Sequence, residues 1–300
     1  MLEPIPDQSA DFVCAILARA SAALRDDSGR HGCVVHLPAH GCLTLTGDLH
    51  DNLPHLEAIL RLAGLDKSAD QHVILHELIH GDRLLNGMDF SYRMLVRVAD
   101  LVVRYPGQVH PLLGNHELAQ MRGTAVGKGA GDSVGAFRGA LDYVFGDDAR
   151  RVESGIVDFL STWPIALRTE SGLHCSHSLP AESAMATFDR GLFEREIVPA
   201  DWRAPIEARA EGGGGSAYAM LWGRRHSAAH LDRLAEEWGV KVFVVGHEHA
   251  ESGYMAIGTR GLVLNSDHAC AVAVRADLGQ EPDRDALLRG VVPLSTLLSP

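Results

Sequence analysis

Residues 72–83 read HVILHELIHGDR, an apolar run of strand type followed directly by histidines and a glutamate. The letters HELIH match H-E-x-x-H, the zinc-protease pattern in which two histidines one helical turn apart bind zinc and the glutamate acts as a base. That interpretation requires a helix, so that His76 and His80 share a face. Here His76 follows the strand-like HVIL, and Arg83 and Asn86 break the longer protease motif. We therefore expect a strand that ends in a loop, and a zinc protease remains an alternative function.

Four other stretches have the same construction, in which an apolar, strand-like run ends in small residues and metal-binding side chains. They are LTLTGDLHDN (43–52), HPLLGNHE (110–117), LHCSHSLP (173–180) and VFVVGHEH (242–249). Loops at strand ends often carry functional residues. Asp48 and His50 are two positions apart, so both can face one side at a strand end, and the same holds for His247 and His249. Four such stretches in a chain with 17 histidines indicate a metal centre.

The side chains at these strand ends are carboxylates, imidazoles and an amide, without a thiolate. Such a set suits Mn, Fe, Zn or Co better than a metal that prefers sulfur ligands. Glu77, at the end of HVIL, is the candidate to bridge two ions. Two ions roughly 3.5–4 Å apart can activate water and hold a phosphoryl group. The sequence therefore predicts a two-metal centre, with Mn as the first candidate and Fe, Zn and Co as alternatives.

Composition sets wider limits on function. The chain has 300 residues, 46% of them hydrophobic, which is enough for a large buried core. A net charge of −12 argues against a nucleic-acid scaffold, and no apolar run approaches the roughly 20 residues of a membrane span. The start, MLEPIPDQSADF, lacks the basic and apolar regions of a signal peptide, so we expect a cytoplasmic protein. The five cysteines form no C-x-x-C pair, so we expect buried or free thiols.

Strand-like and helical segments alternate along the chain, which predicts an α/β architecture with a central sheet or pair of sheets. Apolar spacing predicts helices over 11–25 and 53–63, in MDFSYRMLVRVADLVVRY, and over 227–238. Strands are predicted on both sides of the turn Pro38–Gly41 and at HVIL, QVHPLL, 173–175, 242–245, 262–264 and 270–274. The glycine-rich stretches 123–135 and 211–216 are predicted as loops, because the first lacks the spacing of a phosphate-binding P-loop and strands continue beyond the second.

In their order, the motifs resemble those of the calcineurin-like metallophosphoesterase superfamily, and within it the PPP-type serine/threonine protein phosphatases and their bacterial relatives. The family order is GDxHG, GDxxDRG, GNHE, a histidine before small residues, and a late histidine in RAH or GHxH. Here the matching segments are GDLHD, HELIHGD, GNHE, HSLP and GHEH, over about residues 43–275. The resemblance implies a single α/β domain over residues 1–300: a two-sheet β-sandwich flanked by α-helices, with a dinuclear metal site in loops at the sheet edge.

The resemblance also implies roles for individual residues. One metal would be held by Asp48, His50, Glu77 and His249, and the other by Glu77, Asn115, His177 and His247. His116 would be the general acid that protonates the leaving alkoxide, while a metal-bound hydroxide attacks phosphorus, since metals lower the pKa of bound water. The two histidines of HCSH are three positions apart and so face opposite sides of a strand, and we prefer His177 to His174 as the ligand.

The departures from the family pattern lie in HELIHGD, which stands where the family has GDxxDRG. Glu77 replaces an aspartate and keeps a bridging carboxylate on a longer arm. His80 replaces the aspartate that in the family orients the general acid, so His80 becomes a catalytic candidate beside His116. An imidazole lacks the negative charge that raises the pKa of its partner, so this change affects the protonation of His116.

The phosphate-binding arginine of the family motif is displaced as well, since Gly81 stands in its place. Arg83 lies two residues further on, and Arg225, with its neighbour Arg224, offers a second guanidinium. Together with Asn115, Arg83 and Arg225 are the candidates for binding the substrate.

The function that these features predict is metal-dependent hydrolysis of phosphomonoesters, with phosphoserine or phosphothreonine in proteins as the first substrate class and a small phosphoester as another. Within the same chemistry, a nucleotide phosphatase or phosphodiesterase is the alternative. The altered GDxxDRG motif also leaves open a different class, a metal-dependent binding module or pseudo-enzyme without turnover. No nucleic-acid scaffold and no membrane are expected among the partners.

Overall fold

The computed structural model describes residues 9–124 and 132–298. The β-strands of these residues are β1 Arg30–His31, β2 Val34–Leu37, β3 Cys42–Leu45, β4 Gln71–His76, β5 Val109–Leu112, β6 Ala166–Thr169, β7 Leu173–Ser176, β8 Val242–Val245, β9 Tyr254–Ile257, β10 Gly261–Leu264, β11 Val272–Asp277 and β12 Val291–Pro293. The α-helices are α1 Ala10–Arg25, α2 Leu53–Ala63, α3 Tyr92–Arg104, α4 Asn115–Arg122, α5 Ser133–Phe145, α6 Ala149–Leu160, α7 Pro205–Ala210, α8 Ser216–Trp222, α9 Ala228–Trp238 and α10 Arg284–Arg289.

The strands form two sheets. Within the described ranges, one sheet has seven strands in the order β1-β2-β6-β7-β8-β10-β9, and the other has five in the order β12-β11-β3-β4-β5. Strands β3, β4 and β5 are parallel neighbours in the smaller sheet, as are β7 and β8 in the larger one. Parallel neighbours end at the same edge of a sheet, and this edge is where α/β folds bind their ligands. The loops after these five strands are therefore brought together.

Apolar side chains from both sheets form one buried cluster. Leu43 and Leu45 of β3 belong to it, as do Leu262 and Leu264 of β10, and each is at most 1% exposed. Burying a leucine side chain stabilises a fold by about 1.5–3 kcal/mol. Burial of the apolar residues that alternate along these strands therefore holds the two sheets together, face to face.

A second and larger apolar cluster lies where the helices cover the sheets. Leu17 of α1, Val98 of α3 and Ile156 of α6 are fully buried in it, and α1 packs against both α3 and α6. The helix ends follow ordinary capping rules: the Asn52 side chain accepts from the backbone amide of His55 at the start of α2. Within the described part of the chain, no helix has both the length and the apolar character that a membrane crossing requires.

The predicted two-sheet sandwich with flanking helices is confirmed. The strands on either side of Pro38–Gly41 are present as β2 and β3, but they do not pair with each other, because β2 belongs to the larger sheet and β3 to the smaller one. Val35 and Leu43 both point into the cluster between the sheets. The turn therefore carries the chain from one layer to the other.

The two glycine-rich stretches differ in outcome. Residues 125–131 of the first lie outside the described residues, and the prediction of a loop up to residue 135 is wrong at its end. Residues 133–135 already belong to α5, because the Asp132 side chain accepts from the Gly135 amide and caps the helix. The second stretch connects α7 to α8, and residues 212–215 all have positive φ, a conformation that glycine adopts without steric cost.

Candidate metal centre

Five side chains that follow five strand ends converge at one edge of the sandwich: Asp48 after β3, Glu77 after β4, Asn115 after β5, His177 after β7 and His247 after β8. We call these five residues the donor cluster. Each is at most 7% exposed. Isolated β-bridges from Asp48 to His76 and to Asn265 join the edges of the two sheets at this point. The predicted strand-end motifs thus meet in space.

His177 lies at the centre of the donor cluster. Its Nε2 atom is 2.7 Å from Asn115 Oδ1, 3.0 Å from His247 Nδ1 and 3.1 Å from Glu77 Oε2. Its Nδ1 atom lies 3.5 Å from Asp48 Oδ1. The other four members of the donor cluster therefore all lie within 3.5 Å of one imidazole.

The atoms around His177 Nε2 fit a metal ion better than a set of hydrogen bonds. An amide oxygen and a carboxylate oxygen are acceptors, and an imidazole carries at most one hydrogen on each nitrogen. One hydrogen on His177 Nε2 cannot satisfy Asn115, His247 and Glu77 together. A cation at this point can accept electron pairs from all of them, so the residues present fit the transition metals that the sequence predicts.

Glu77 belongs to two groups of potential ligands. One group is Glu77, His177 and His247, and the other is Glu77, His50 and His116; within each group the ligand atoms lie within 4.8 Å of one another. His116 Nε2 is 3.2 Å from Glu77 Oε1, and the His50 and His116 rings are 5.2 Å apart between centroids. A carboxylate shared by two donor groups is the arrangement that a bridging ligand requires.

The two carboxyl groups of the donor cluster are electrostatically unequal. Burial raises the pKa of Glu77 well above its usual value, and the charges of Asp48 and Glu117 raise it further. Burial acts in the same direction on Asp48, but the hydrogen bond and charge of His177 hold the pKa of Asp48 below its usual value. Two buried carboxylates this close repel each other unless a proton or a cation lies between them.

Burial favours the neutral form of two imidazoles of the site, His247 and His116. Burial, with His177 and Arg224 nearby, lowers the pKa of His247 to about 2. Burial, with His50 and His80 nearby, lowers the pKa of His116 to about 2. Neutral imidazole is the form that binds metals, so the desolvated site favours metal binding over protonation.

The backbone is strained around the site. Non-glycine residues with positive φ include His50 at 44°, Glu77 at 40°, His80 at 60°, Arg225 at 58° and His247 at 66°. Such conformations are uncommon outside glycine and collect at functional sites, where the surrounding structure holds them. Close approach matters too: a Cβ atom at Gly246 would overlap with Asp48 Oδ1, which explains the glycine in GHEH.

The HELIH stretch does not form the helix that a zinc protease requires. β4 ends at His76, and residues 77–82 are not helical. His76 is buried with Asp48 and His177, whereas His80 forms a contact with Asp89 on another side, 2.7 Å from Nδ1 to Oδ2. The two histidines therefore do not share one face.

Other predicted site residues lie at the rim. His249 is exposed, and its ring is 5.2 Å from that of His268. Among the described residues it belongs neither to the two groups of potential ligands that share Glu77 nor to a third group, Asp48, His76 and His177. Arg83 donates to the His50 carbonyl oxygen and to Asp267 Oδ1, both at 2.6 Å. The Arg225 backbone amide donates to Glu248 Oε1.

Arg224, the neighbour of Arg225, lies nearer to the donor cluster. It donates to the His247 carbonyl oxygen at 2.9 Å, and its Nη2 atom is 3.4 Å from His247 Nδ1.

Three further residues hold the site together: sequence reasoning gave no role to Glu117 and Asp89, and it considered His76 as a ligand of the alternative zinc protease. Glu117, the last residue of GNHE, accepts from the backbone amides of Leu78 at 2.8 Å and Gly114 at 3.2 Å, so it ties the loop after β4 to the start of α4. His76 adds a third buried imidazole, with a pKa lowered to about 3 by burial and by His177. Asp89 pairs with His80. Glu117 stood in a recognised motif, but no spacing marked Asp89.

Comparison with known proteins agrees with this geometry. Residues 43–251 match a protein family described as calcineurin-like phosphoesterase. Among solved structures, a serine/threonine protein phosphatase from Saccharomyces cerevisiae, described as similar to human phosphatase PP5, is 13% identical with a TM-score of 0.66, over 95% of this chain and 89% of the yeast chain. The cold-active protein-tyrosine phosphatase of a psychrophilic Shewanella is 15% identical with a TM-score of 0.52, over 81% of this chain and 77% of its own.

At these identities the likeness to solved structures concerns the fold alone. Among curated proteins, none matches this sequence.

Proposed function

Since the chain belongs to the calcineurin-like phosphoesterase family, we propose that it is a two-metal phosphatase that hydrolyses phosphomonoesters, with phosphoserine and phosphothreonine in proteins as its substrates. Membership of the family implies phosphoester hydrolysis and a dinuclear metal centre. The proposal adds the substrate class, the residues and their roles.

The observation that carries the proposal is the convergence on His177 Nε2, where Asn115, His247 and Glu77 all lie within 3.1 Å. Glu77 also belongs to the donor group of His50 and His116. These contacts support a centre for two ions that share the Glu77 carboxylate.

The proposed ligands divide as the motifs predict: Asp48, His50, Glu77 and His249 for one ion, and Glu77, Asn115, His177 and His247 for the other. The exposed position of His249 means that it would have to turn toward the centre when the first ion binds. When bound, two such ions polarise phosphoryl oxygens and lower the pKa of a water molecule. The chain contributes a buried, preorganised set of donors, which strengthens electrostatic interactions with the reacting phosphate.

The leaving group requires a proton, which we assign to His116. As the P–O ester bond breaks, the leaving alkoxide oxygen would take the proton from His116 Nε2, and solvent would later return one to the ring. This atom lies 3.2 Å from Glu77 Oε1, at the side of the donor cluster that His50 occupies. Because burial lowers the pKa of His116 to about 2, the ring needs help from neighbouring groups to hold the proton that it donates.

Substrate binding would fall to the guanidinium groups at the rim. Arg83 is fixed by His50 and Asp267 and remains 42% exposed in its side chain, and Arg225 is exposed beside Glu248. Arg224 contacts His247, a member of the donor cluster, directly. Planar guanidinium groups bind phosphate oxygens in pairs, so the rim can orient a phosphate over the cluster.

The experiment that tests this function is phosphate release from matched substrates by the protein loaded with Mn²⁺. The panel would contain one peptide phosphorylated on serine, threonine or tyrosine, a nucleoside monophosphate, and an aryl phosphodiester. We expect phosphoserine and phosphothreonine peptides to give the highest kcat/KM. Fastest cleavage of the nucleotide or the diester would favour the alternative phosphoesterases, and ions bound without any turnover would favour a binding module. Phosphotyrosine is included because the structural neighbour from Shewanella is described as a protein-tyrosine phosphatase.

A further inference from the structure

His80 and Asp89 form a buried pair next to the donor cluster. His80 Nδ1 lies 2.7 Å from Asp89 Oδ2, and their side chains are 0% and 3% exposed. The other oxygen of this carboxylate, Oδ1, accepts from the Ser91 backbone amide at 2.9 Å. The His80 backbone amide in turn donates to Ser91 Oγ at 3.3 Å. Since both oxygens of Asp89 act as acceptors, the hydrogen of His80 must sit on Nδ1.

The remaining nitrogen of His80 and one nitrogen of the neighbouring His116 ring are both left without a hydrogen-bond partner in the described part of the chain. His80 Nε2 and His116 Nδ1 are both buried, and neither has a hydrogen-bond partner among the described residues. The two rings are neighbours, 5.7 Å apart between centroids and tilted by 45°, and these two nitrogens are not hydrogen-bonded to each other in this structure. With its hydrogen on Nδ1, His80 offers Nε2 as an acceptor, and His116 can supply the Nδ1 hydrogen.

We propose that Asp89 is a positioning residue that acts through His80: it fixes the tautomer of His80, so that His80 Nε2 accepts from His116 Nδ1 and leaves His116 Nε2 free to donate a proton to the leaving group. The proposal rests on the function proposed above. In the family motif an aspartate stands where this chain has His80. The proposal assigns that negative charge to Asp89, nine positions after His80, so that the His80 imidazole lies between the carboxylate and the proton donor His116. A carboxylate behind an imidazole strengthens the imidazole as an acceptor and orients its ring.

The variant Asp89→Asn tests this arrangement sharply. An asparagine has one oxygen and one amide nitrogen, and its oxygen is needed by the fixed Ser91 amide. Its NH₂ group would then face His80 Nδ1 and move the hydrogen of His80 to Nε2. Two N–H groups would meet between His80 and His116. The size and shape of the side chain stay almost the same, so the change is mainly one of charge and tautomer.

Two measurements follow the effect of Asp89→Asn, one on the His80 tautomer and one on turnover. Nitrogen-15 NMR of the metal-free protein should show His80 with its hydrogen on Nδ1 in the unmodified chain and on Nε2 in Asp89→Asn. With Mn²⁺ bound, kcat on a phosphoserine peptide should fall about 10–100-fold, with KM and metal content unchanged. Turnover of 2,4-dinitrophenyl phosphate should fall less than about threefold, because that leaving group departs without a proton.

The matched control is Asp201→Asn. Asp201 is also a buried aspartate (3% exposed) that accepts from one basic side chain, Arg195, and from one backbone amide, that of Val198. Its replacement should lower stability but reduce the turnover of both substrates equally or not at all. If Asp89→Asn does not fold, His80→Phe serves instead: it removes the acceptor for His116 Nδ1 and should show the same selective loss on the phosphoserine peptide.

Equal losses on the two substrates, or an unchanged His80 tautomer in Asp89→Asn, would overturn the role of Asp89. Absence of turnover on every substrate by the unmodified metal-loaded protein would instead refute the proposed function. The NMR measurement on the metal-free chain still decides whether Asp89 sets the His80 tautomer in that case.

Discussion

Strand β7 and the loop after it carry two buried histidines three positions apart, and their surroundings differ completely. His177 lies in the donor cluster, against Glu77, Asn115 and His247. His174 lies in what we call the aromatic cluster, with Phe193, Trp238 and Phe243 at ring separations of 5.8, 5.5 and 5.5 Å. Both histidines are 0% exposed. Burial alone therefore does not identify a metal ligand, and the chemistry of the neighbours decides.

The residues around His174 are an arginine and aromatic rings, which are not metal ligands. Arg168 Nε donates to His174 Nδ1 at 3.1 Å, and the Arg168 guanidinium lies 4.3 Å from the centre of the Phe193 ring. Burial and the charge of Arg168 lower the pKa of His174 well below its usual value. A cation beside Arg168 would be repelled, whereas the carboxylates beside His177 attract one. The aromatic cluster is thus a packing unit, and the donor cluster has the charge and the ligand atoms that suit a cation.

Removal of the metal should give the largest difference in response between the donor cluster and the aromatic cluster. We expect a chelator to abolish phosphatase turnover and to lower the free energy of unfolding by about 4 kcal/mol, the value for a ligand present at a thousand times its dissociation constant. The measurement is urea unfolding with and without Mn²⁺. Near-ultraviolet circular dichroism should report unchanged Trp238 packing in the folded, metal-free chain. Loss of that signal on chelation would show that the clusters are not independent.

Single substitutions of His177 and of His174 should give the next largest difference between the two clusters. His177→Gln should reduce turnover more than about 100-fold, because changes in groups that merely support ligands already cost 10–100-fold. His174→Phe should leave metal content and turnover unchanged and destabilise the fold by about 1–3 kcal/mol, because the Arg168 Nε–H then lacks its acceptor. Metal analysis, kinetics and urea unfolding measure these effects. Loss of metal from His174→Phe would contradict the division between the clusters.

A third environment for buried histidine is the pair His72 and His110, from which we expect a smaller effect on stability that depends on pH. Burial and the neighbouring His72 lower the pKa of His110 from 6.5 to about 3 in the folded protein. Between these values the unfolded chain binds a proton that the folded chain does not, so stability is lost as pH falls below 6.5. We expect the metal-free protein to lose up to about 1.4 kcal/mol per pH unit through this residue.

Urea unfolding of the metal-free protein between pH 7.5 and about 5.5 measures this loss. His110→Gln should show a shallower dependence on pH than the unmodified chain. The same slope in both proteins would mean that His110 takes up its proton without unfolding, and that its burial does not exclude the charged form.

Much of this molecule could be predicted from its sequence because the informative patterns are local. Apolar runs followed by ligand residues marked β3, β4, β5, β7 and β8. Spacing on a strand separated His174 from His177, and the family resemblance then favoured His177 as the ligand. The geometry of parallel strands then brings such strand ends to one edge.

What could not be predicted depends on contacts between distant residues. The pairing of β2 with β6 and of β3 with β4 and β11 follows from packing across the sandwich, which the short turn between β2 and β3 does not reveal. Likewise, Asp89 meets His80 only because the chain between them folds back at a turn around Leu85 and Met88. The side-chain chemistry of His80 alone gave no sign of a carboxylate partner.

The most direct test of the central claim is the metal content and phosphatase turnover of the unmodified protein beside Glu77→Gln and Glu77→Asp. We predict about two transition-metal ions per chain and phosphate release for the unmodified protein, in line with a two-metal centre. Glu77→Gln should lose both metal and turnover, while Glu77→Asp, which keeps the carboxylate, should retain both ions. A single ion per chain that Glu77→Gln still binds, or full turnover without the carboxylate, would contradict a bridging Glu77 and with it the two-metal account.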